Sequence, residues 1–386
     1  MNVTFDDAPP PGHINFGVGQ PSADLLPVKL IEAASADFLS SAQPFEFNYG
    51  ERQGDRRFRE SLAGFLSRHY GQPARPESLL VSNGNSQALS FVAAQLTQHG
   101  DTVFVEEPSY FLAFNILREH GLKIVGIPID ENGLIIEQLE AELRKHRPKL
   151  IYTIPSYNNP TGICLSAARR QRLLELSLEH GFIIAADEVY QLLHYYEPPP
   201  IAFGSLAEQQ EQEGSIVSMG SFSKILAPGL RLGWIQTSEP LMKRLLDNGV
   251  ISSGGSLSHF SSQVVRHAID LGLQDQHLQH LRNVYRSRIE AMDQALHHHL
   301  GDMARWQTPQ GGYFFWLEMS EDFDAPAMRA LAPSFKTGFQ AGNVFSSRGR
   351  FGNYIRLSFA HYNESQIDEG IARLATCFQT CEIEHV

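Results

Sequence analysis

Cysteine is scarce in this chain: Cys164, Cys377 and Cys381 are its three thiols in 386 residues. An odd, widely spaced set excludes a complete disulfide framework, and no Cys/His spacing typical of a zinc site is present. A reducing, cytoplasmic setting is the expectation. No stretch approaches the roughly 18 apolar residues of a membrane-spanning helix, and the N-terminal residues lack the basic start and apolar run of a secretory signal. Runs of Lys or Arg are missing and the formal net charge is −12, which argues against a nucleic-acid partner because phosphate binding needs a basic face. The stretch Gly220-Ser-Phe-Ser-Lys224 lacks the Gly-x4-Gly-Lys spacing of a nucleotide phosphate loop. His297, His298 and His299 are consecutive, so on a helix they point about 100° apart and cannot chelate together. His277 and His280 have helical spacing but no carboxylate or thiol company. No metal is expected. What these absences leave is a small-molecule ligand and no membrane association.

Hydrophobic residues make up 42% of the chain and charged residues 19%, the composition of an ordinary globular protein long enough for two or three compact units. From Leu79 onward short apolar runs alternate with amphipathic stretches, the pattern of a parallel sheet covered by helices on both faces. Strands are predicted at Leu79 to Ser82, Thr102 to Val105, Lys123 to Ile127, Leu150 to Ile154, Phe182 to Ala186, Ser215 to Met219 and Leu232 to Thr237. Helices are predicted at Ser86 to Gln98, Ser109 to His120, Ile136 to Lys145 and Ser166 to His180, with Gly100, Gly121 and Gly181 as C-terminal caps. The expected fold class is α/β: a large, doubly wound, seven-stranded, mostly parallel sheet plus a smaller α+β domain. We expect residues 1–44 to form an arm joining the smaller domain, 45–265 the large domain and 266–386 the small one. The Glu- and Gln-rich stretch from Glu208 to Gly214 reads as a polar loop.

Four segments carry chemistry-bearing residues. Ser218-Met-Gly-Ser-Phe-Ser-Lys-Ile-Leu-Ala-Pro-Gly-Leu-Arg-Leu-Gly-Trp234 sets Lys224 between small hydroxyl residues and Arg231. A lysine amine can bond a carbonyl cofactor while Ser221, Ser223 and Arg231 hold an anionic group. Pro155-Ser-Tyr-Asn-Asn-Pro-Thr-Gly162 and Ala185-Ala-Asp-Glu-Val-Tyr190 lie upstream, and Tyr354-Ile-Arg-Leu-Ser-Phe-Ala360 lies downstream. Asn159, Asp187 and Lys224 each fall just beyond a predicted strand end, where open α/β sheets bind ligands. Taken in order, these motifs resemble the class I and II aminotransferases, which belong to fold-type I of the pyridoxal phosphate enzymes and have the aspartate aminotransferase-like fold. The likeness runs from about Phe16 to Leu374.

The resemblance implies pyridoxal 5'-phosphate as cofactor and a set of roles. Lys224 would bond the cofactor aldehyde and then shuttle a proton. Asp187 would face the pyridine nitrogen, with Tyr190 and Asn159 at the cofactor phenolate oxygen. Tyr110 would stack on the ring. Phosphate capture would fall to Gly84, Asn85 and Ser86, at a helix N-terminus, and to Ser221, Ser223 and Arg231; the family more often has Ser or Thr where Asn85 stands. Tyr49, in Phe47-Asn-Tyr-Gly50, would reach the neighbouring subunit's phosphate, implying a homodimer with shared active sites. Arg356 would clamp the substrate α-carboxylate, with Asn159 and the arm residue Gly19 also at the substrate.

Transamination by a ping-pong cycle is the implied activity, passing an amino group from an L-amino acid to a 2-oxo acid such as 2-oxoglutarate. The Gly311-Gly-Tyr-Phe-Phe-Trp-Leu317 run looks closest to the branch that handles aromatic, 2-aminoadipate or broad neutral substrates. Two alternatives share the anchoring residues. One is a carbon–sulfur β-lyase of the same fold; the other is a non-catalytic sensor domain of a MocR-like regulator. Such regulators carry a basic winged-helix segment ahead of the fold, and the residues before Phe16 are few and not basic.

Overall fold

The computed structural model describes residues 10–210 and 214–383. An eight-stranded sheet dominates it, built from β1 (Leu79–Ser82), β2 (Thr102–Glu107), β3 (Lys123–Asp130), β4 (Gly133–Leu134), β5 (Pro148–Thr153), β6 (Ile183–Asp187), β7 (Ile216–Ser221) and β8 (Gly233–Thr237). Their order across the sheet is β1-β8-β7-β6-β5-β2-β3-β4. Neighbours run parallel except where β8 inserts between β1 and β7, and where β4 folds back on β3. All seven expected strands are present. The eighth, β4, has only two residues and so leaves no periodic signal in sequence.

Both faces of the central strands are covered. β5, β6 and β7 contain long buried runs, as strands packed between helical layers must. One face joins the main core of Leu80, Val105, Tyr152, Ala185, Val217 and Ile235, and the other packs Phe104, Ile151, Ile184 and Ile216 against helices including Ala167–His180. Gly181 caps that helix in the left-handed conformation, as expected. Gly100 does not cap one: the helix Asn85–Leu96 ends at Thr97, and Gly100 lies in a turn where its N–H donates to the Gly121 carbonyl. Where Phe222 and Trp234 pack edge to face, a side chain on Gly220 would come 2.1 Å from the Trp234 ring. Only glycine fits between β7 and that indole.

A second, antiparallel sheet has the order β9-β10-β12-β11, with β9 (Ala304–Trp306), β10 (Phe314–Met319), β11 (Gln340–Ala341) and β12 (Tyr354–Ser358). The long helices Leu273–Leu300 and Glu364–Ile383 accompany it. The N-terminal arm joins this part of the molecule: Ile14–Asn15 pairs in parallel with Thr337–Gly338, and the Ser358 N–H donates to the Phe16 carbonyl. Glu208 is not in a loop. It ends the helix Phe203–Glu208 and binds Arg75 and Gln236, while residues 211–213 of that stretch lie outside the described residues.

Candidate active site

A cavity of about 610 Å³ opens where the carboxyl ends of β2, β5, β6 and β7, and the helix that follows β1, converge beneath the arm and β12. This is the position at which doubly wound sheets bind ligands. Of the fourteen residues expected in the site, twelve line it: Gly19, Asn85, Ser86, Tyr110, Asn159, Asp187, Tyr190, Ser221, Ser223, Lys224, Arg231 and Arg356. Gly84 lies at its edge. Tyr49 does not line it and is 85% exposed.

Asp187 is the last residue of β6 and is buried. Its Oδ1 accepts from the Asn85 amide and, at 3.4 Å, from the Val189 N–H; its Oδ2 accepts from the Tyr152 hydroxyl at 2.9 Å. Burial nevertheless pushes its carboxyl above the usual range, with those donors and the Lys224 amine opposing the shift. A carboxylate in that position favours a cationic partner from the cavity side.

Lys224 follows β7 by three residues and lines the same cavity as Asp187. It donates to the Gly19 carbonyl at 2.7 Å and lies 5.2 Å from the centre of the Tyr313 ring. Burial, reinforced by the Arg356 and Arg231 charges and opposed by Asp187, pulls this amine down to about 8. Such an amine is half neutral near pH 8, and the neutral form is the nucleophile toward an aldehyde.

Asn159 is held by a buried network. The Glu106 carboxylate accepts from the Thr153 hydroxyl, the Ile154 N–H at 2.9 Å and the Asn158 amide at 2.8 Å. Arg170, fully buried, donates to the Pro155 carbonyl and the Ser156 hydroxyl at 2.7 Å each. The turn that carries Asn159 is thus fixed on both sides. Burial raises the Tyr190 hydroxyl well beyond its usual range and the Tyr110 hydroxyl to about 12, so both remain protonated donors.

At one end the cavity forms an anion cup. Ser221 Oγ donates to Ser223 Oγ at 2.9 Å and accepts from the Ser223 N–H, and the Arg231 guanidinium is fastened to the Asn83 carbonyl at 3.2 Å. The helix Asn85–Leu96 begins there after Gly84, whose φ of 82° suits glycine. A Cβ at position 84 would lie 3.3 Å from Arg231 Nη2 and 3.6 Å from Ser221 Oγ. The bare backbone leaves that space to a ligand. Free N–H groups, hydroxyls and a guanidinium suit a phosphate.

At the other end Arg356 is buried on β12. It donates to Asn159 Oδ1 at 3.0 Å and to the Gly17 carbonyl at 2.8 Å, while its Nε has no hydrogen-bond partner among the described residues. Its guanidinium carbon lies 4.1 Å from the centre of the Phe314 ring and 4.9 Å from that of Phe345. Burial lowers the guanidinium to about 10, which still leaves it charged at neutral pH. Phe314, on β10, and Phe345, in a short 3-10 turn, are aromatic positions whose local sequence carries no sign of a nearby cation. Tyr152 looked like core, because it interrupts nothing in an apolar strand. The direction of Asn85 was also hidden: its amide nitrogen turns inward to Asp187 and the Met219 carbonyl, not outward to the cup.

An amine, a carboxylate, an anion cup and a guanidinium around one cavity on this fold define a pyridoxal phosphate enzyme of fold-type I. The family model of the class I and II aminotransferases matches residues 11–374. Aromatic-amino-acid aminotransferase 1 of Thermococcus litoralis is 31% identical over 94% of this chain and 87% of its own length. An uncharacterized HTH-type transcriptional regulator of Bacillus subtilis, YdfD, is 30% identical over 94% of this chain and 73% of its own length. The crystal structure of the α-aminoadipate aminotransferase LysN of Thermus thermophilus, complexed with N-(5'-phosphopyridoxyl)-L-leucine, has a TM-score of 0.87 and 28% identity, covering 96% of this chain and 93% of that one. This chain belongs to the class I and II aminotransferase family, and it is a pyridoxal phosphate-dependent aminotransferase acting on small molecules. Among the described residues no helix is long and apolar enough to cross a membrane.

Proposed function

We propose that Lys224, Asp187 and Tyr190 carry the chemistry of this enzyme, and that Arg356 selects its substrates by their α-carboxylate. The observation that carries the reading is the meeting of the Lys224 amine, the Asp187 carboxylate and the Arg356 guanidinium in one buried cavity. The cofactor fits this donor set: a pyridinium N–H answers the buried Asp187, a phosphate answers the cup left open at Gly84, and an aldehyde answers the softened Lys224 amine. When bound, pyridoxal phosphate withdraws electrons from the substrate Cα and accepts the amino group.

In this reading Asp187 holds a proton on the ring nitrogen. Tyr190 and Asn159 would donate to the phenolate oxygen, and Tyr110 would stack on the ring. Gly84, Asn85 and Ser86 offer backbone N–H groups, and Ser221, Ser223 and Arg231 complete the cup. Arg356 presents a forked pair of N–H groups to the α-carboxylate of the amino acid and, in the second half-reaction, of the oxo acid. Lys224 would carry the proton at the substrate Cα. Gly19 would close the arm over the substrate, and its carbonyl accepts a hydrogen bond from the Lys224 amine.

We propose a division into arm, large domain and small domain at about residues 44 and 265, supported by the pairing of arm residues Ile14–Asn15 with Thr337–Gly338 and by the separate sheet of β9 to β12. Tyr110, Phe111, Tyr190 and Phe314 line the cavity together with the polar Asn15, Gln20 and Gln340, which supports aromatic and large neutral or acidic amino acids as donors. A donor panel tests this. Without an oxo acid, each accepted amino acid should convert one equivalent of bound cofactor to its amine form and then stop, as followed by absorbance. Continued turnover with release of ammonia would mean a lyase.

Phe45, Phe47, Tyr49, Val250 and Phe260 are all more than half exposed, and a second copy of the chain is the cover we assign to this face. Tyr49 would then enter the partner's phosphate cup. The net charge of −12 argues against a nucleic-acid ligand, and the scarcity of cysteine supports a reducing, cytoplasmic setting. Mixing Tyr49→Ala subunits with Lys224→Ala subunits should yield hybrids in which one of the two sites pairs an intact Tyr49 with an intact Lys224. We expect activity to return on mixing, with a dimer in sedimentation; a monomer, or no complementation, would refute the shared site.

A further inference from the structure

We propose that Asn85 is a positioning residue for Asp187, setting the carboxylate that faces the cofactor nitrogen, and that its side chain is not a phosphate ligand. The inference rests on the assignment of Asp187 given above.

Asn85 is the first residue of the helix Asn85–Leu96, one position past Gly84, so its backbone belongs to the anion cup. Its side chain does not. The amide nitrogen donates to Asp187 Oδ1 and, at 3.0 Å, to the Met219 carbonyl. An amide nitrogen has two hydrogens, and both are consumed. Met219 lies on β7 directly opposite Asp187 on β6 in the parallel register, so the two acceptors are tied to adjacent strands. Turning the amide over would set its oxygen against a carboxylate and a carbonyl, two repulsive contacts. The orientation is therefore dictated by its acceptors.

With Tyr152 donating to Oδ2 at 2.9 Å, each carboxylate oxygen has a neutral donor from the protein. Two consequences follow. The carboxylate plane is fixed from both sides, with remaining lone pairs turned toward the cavity. Neutral donors also reduce the proton affinity of the carboxylate, so a proton shared between Asp187 and the ring nitrogen stays on the nitrogen. A serine at position 85, the commoner residue in the family, has one hydroxyl and a shorter reach. It could not bond Asp187 and Met219 together.

The test uses holoenzyme loaded with cofactor labelled with ¹⁵N in the ring, in wild type, Asn85→Ser, Asn85→Ala and Asp187→Asn. We expect the nitrogen signal to move partway from the protonated toward the neutral position in both Asn85 variants, and fully in Asp187→Asn. The phosphate ³¹P signal and the cofactor dissociation constant should stay within about threefold of wild type in the Asn85 variants. Loss of one hydrogen bond to a charged group corresponds to about a tenfold fall in kcat, with KM nearly constant. An unmoved nitrogen signal in the Asn85 variants, with a shifted ³¹P signal and weakened cofactor binding, would make Asn85 a phosphate ligand and overturn the inference. If Asp187→Asn also leaves the nitrogen signal unmoved, the assignment of Asp187 itself fails.

Discussion

Lys224→Ala should retain bound pyridoxal phosphate and lose turnover by at least about 10⁴-fold, the upper range for a positioned proton-transfer group. The amine has two tasks, bonding the cofactor aldehyde and moving the proton at the substrate Cα, and alanine performs neither. Retention follows because the anion cup and Asp187 are untouched. The pH dependence of cofactor capture by the cofactor-free protein gives a companion signature. Lys224 is lowered from 10.5 to about 8, chiefly by burial, with Arg356 and Arg231 adding and Asp187 opposing. The reactive neutral amine is thus scarce below that value and dominant above it. The capture rate measured by stopped-flow absorbance should rise as pH increases through about 8 and then level off. A rate still climbing near pH 10, as for an ordinary lysine, would contradict the burial argument, and an active Lys224→Ala enzyme would contradict the role.

Arg356→Ala should raise KM for both the amino acid and the oxo acid by about 10²–10³-fold, equivalent to about 3–4 kcal/mol for two charge-assisted hydrogen bonds lost from a buried site. The same residue serves both half-reactions, so both constants should move together. Arg356→Lys should recover little: the charge survives, but the forked geometry and the stacking against Phe314 and Phe345 do not. Cofactor affinity should change far less than KM, since the phosphate cup is untouched and, of the cofactor-facing groups, Asn159 loses one partner. Steady-state kinetics with several amino acids checks this. An unchanged KM would move carboxylate recognition elsewhere in the cavity.

How much of this was legible in the sequence depended on whether a feature had a local cause. The seven long strands announce themselves as apolar runs between capped helices, and Asn159, Asp187 and Lys224 sit at strand ends, so the sheet edge itself gathers them. Gly181 marks a helix end because a left-handed cap needs glycine there, whereas Gly100 needs the same conformation for a turn. Contacts made across the fold were not legible. Tyr152 on Asp187, the aromatic rings around Arg356, the Glu106 and Arg170 network behind Asn159 and the inward turn of Asn85 all join residues far apart in sequence. Each looks locally like core, strand or cap. Its partner exists only once the strands are in register.

Borohydride reduction of the holoenzyme followed by peptide mass mapping tests the central claim most directly. The account predicts that reduction fixes one reduced cofactor per chain, on the peptide that contains Lys224, and that Lys224→Ala carries none. A cofactor fixed to any other lysine, or to no peptide, would contradict it.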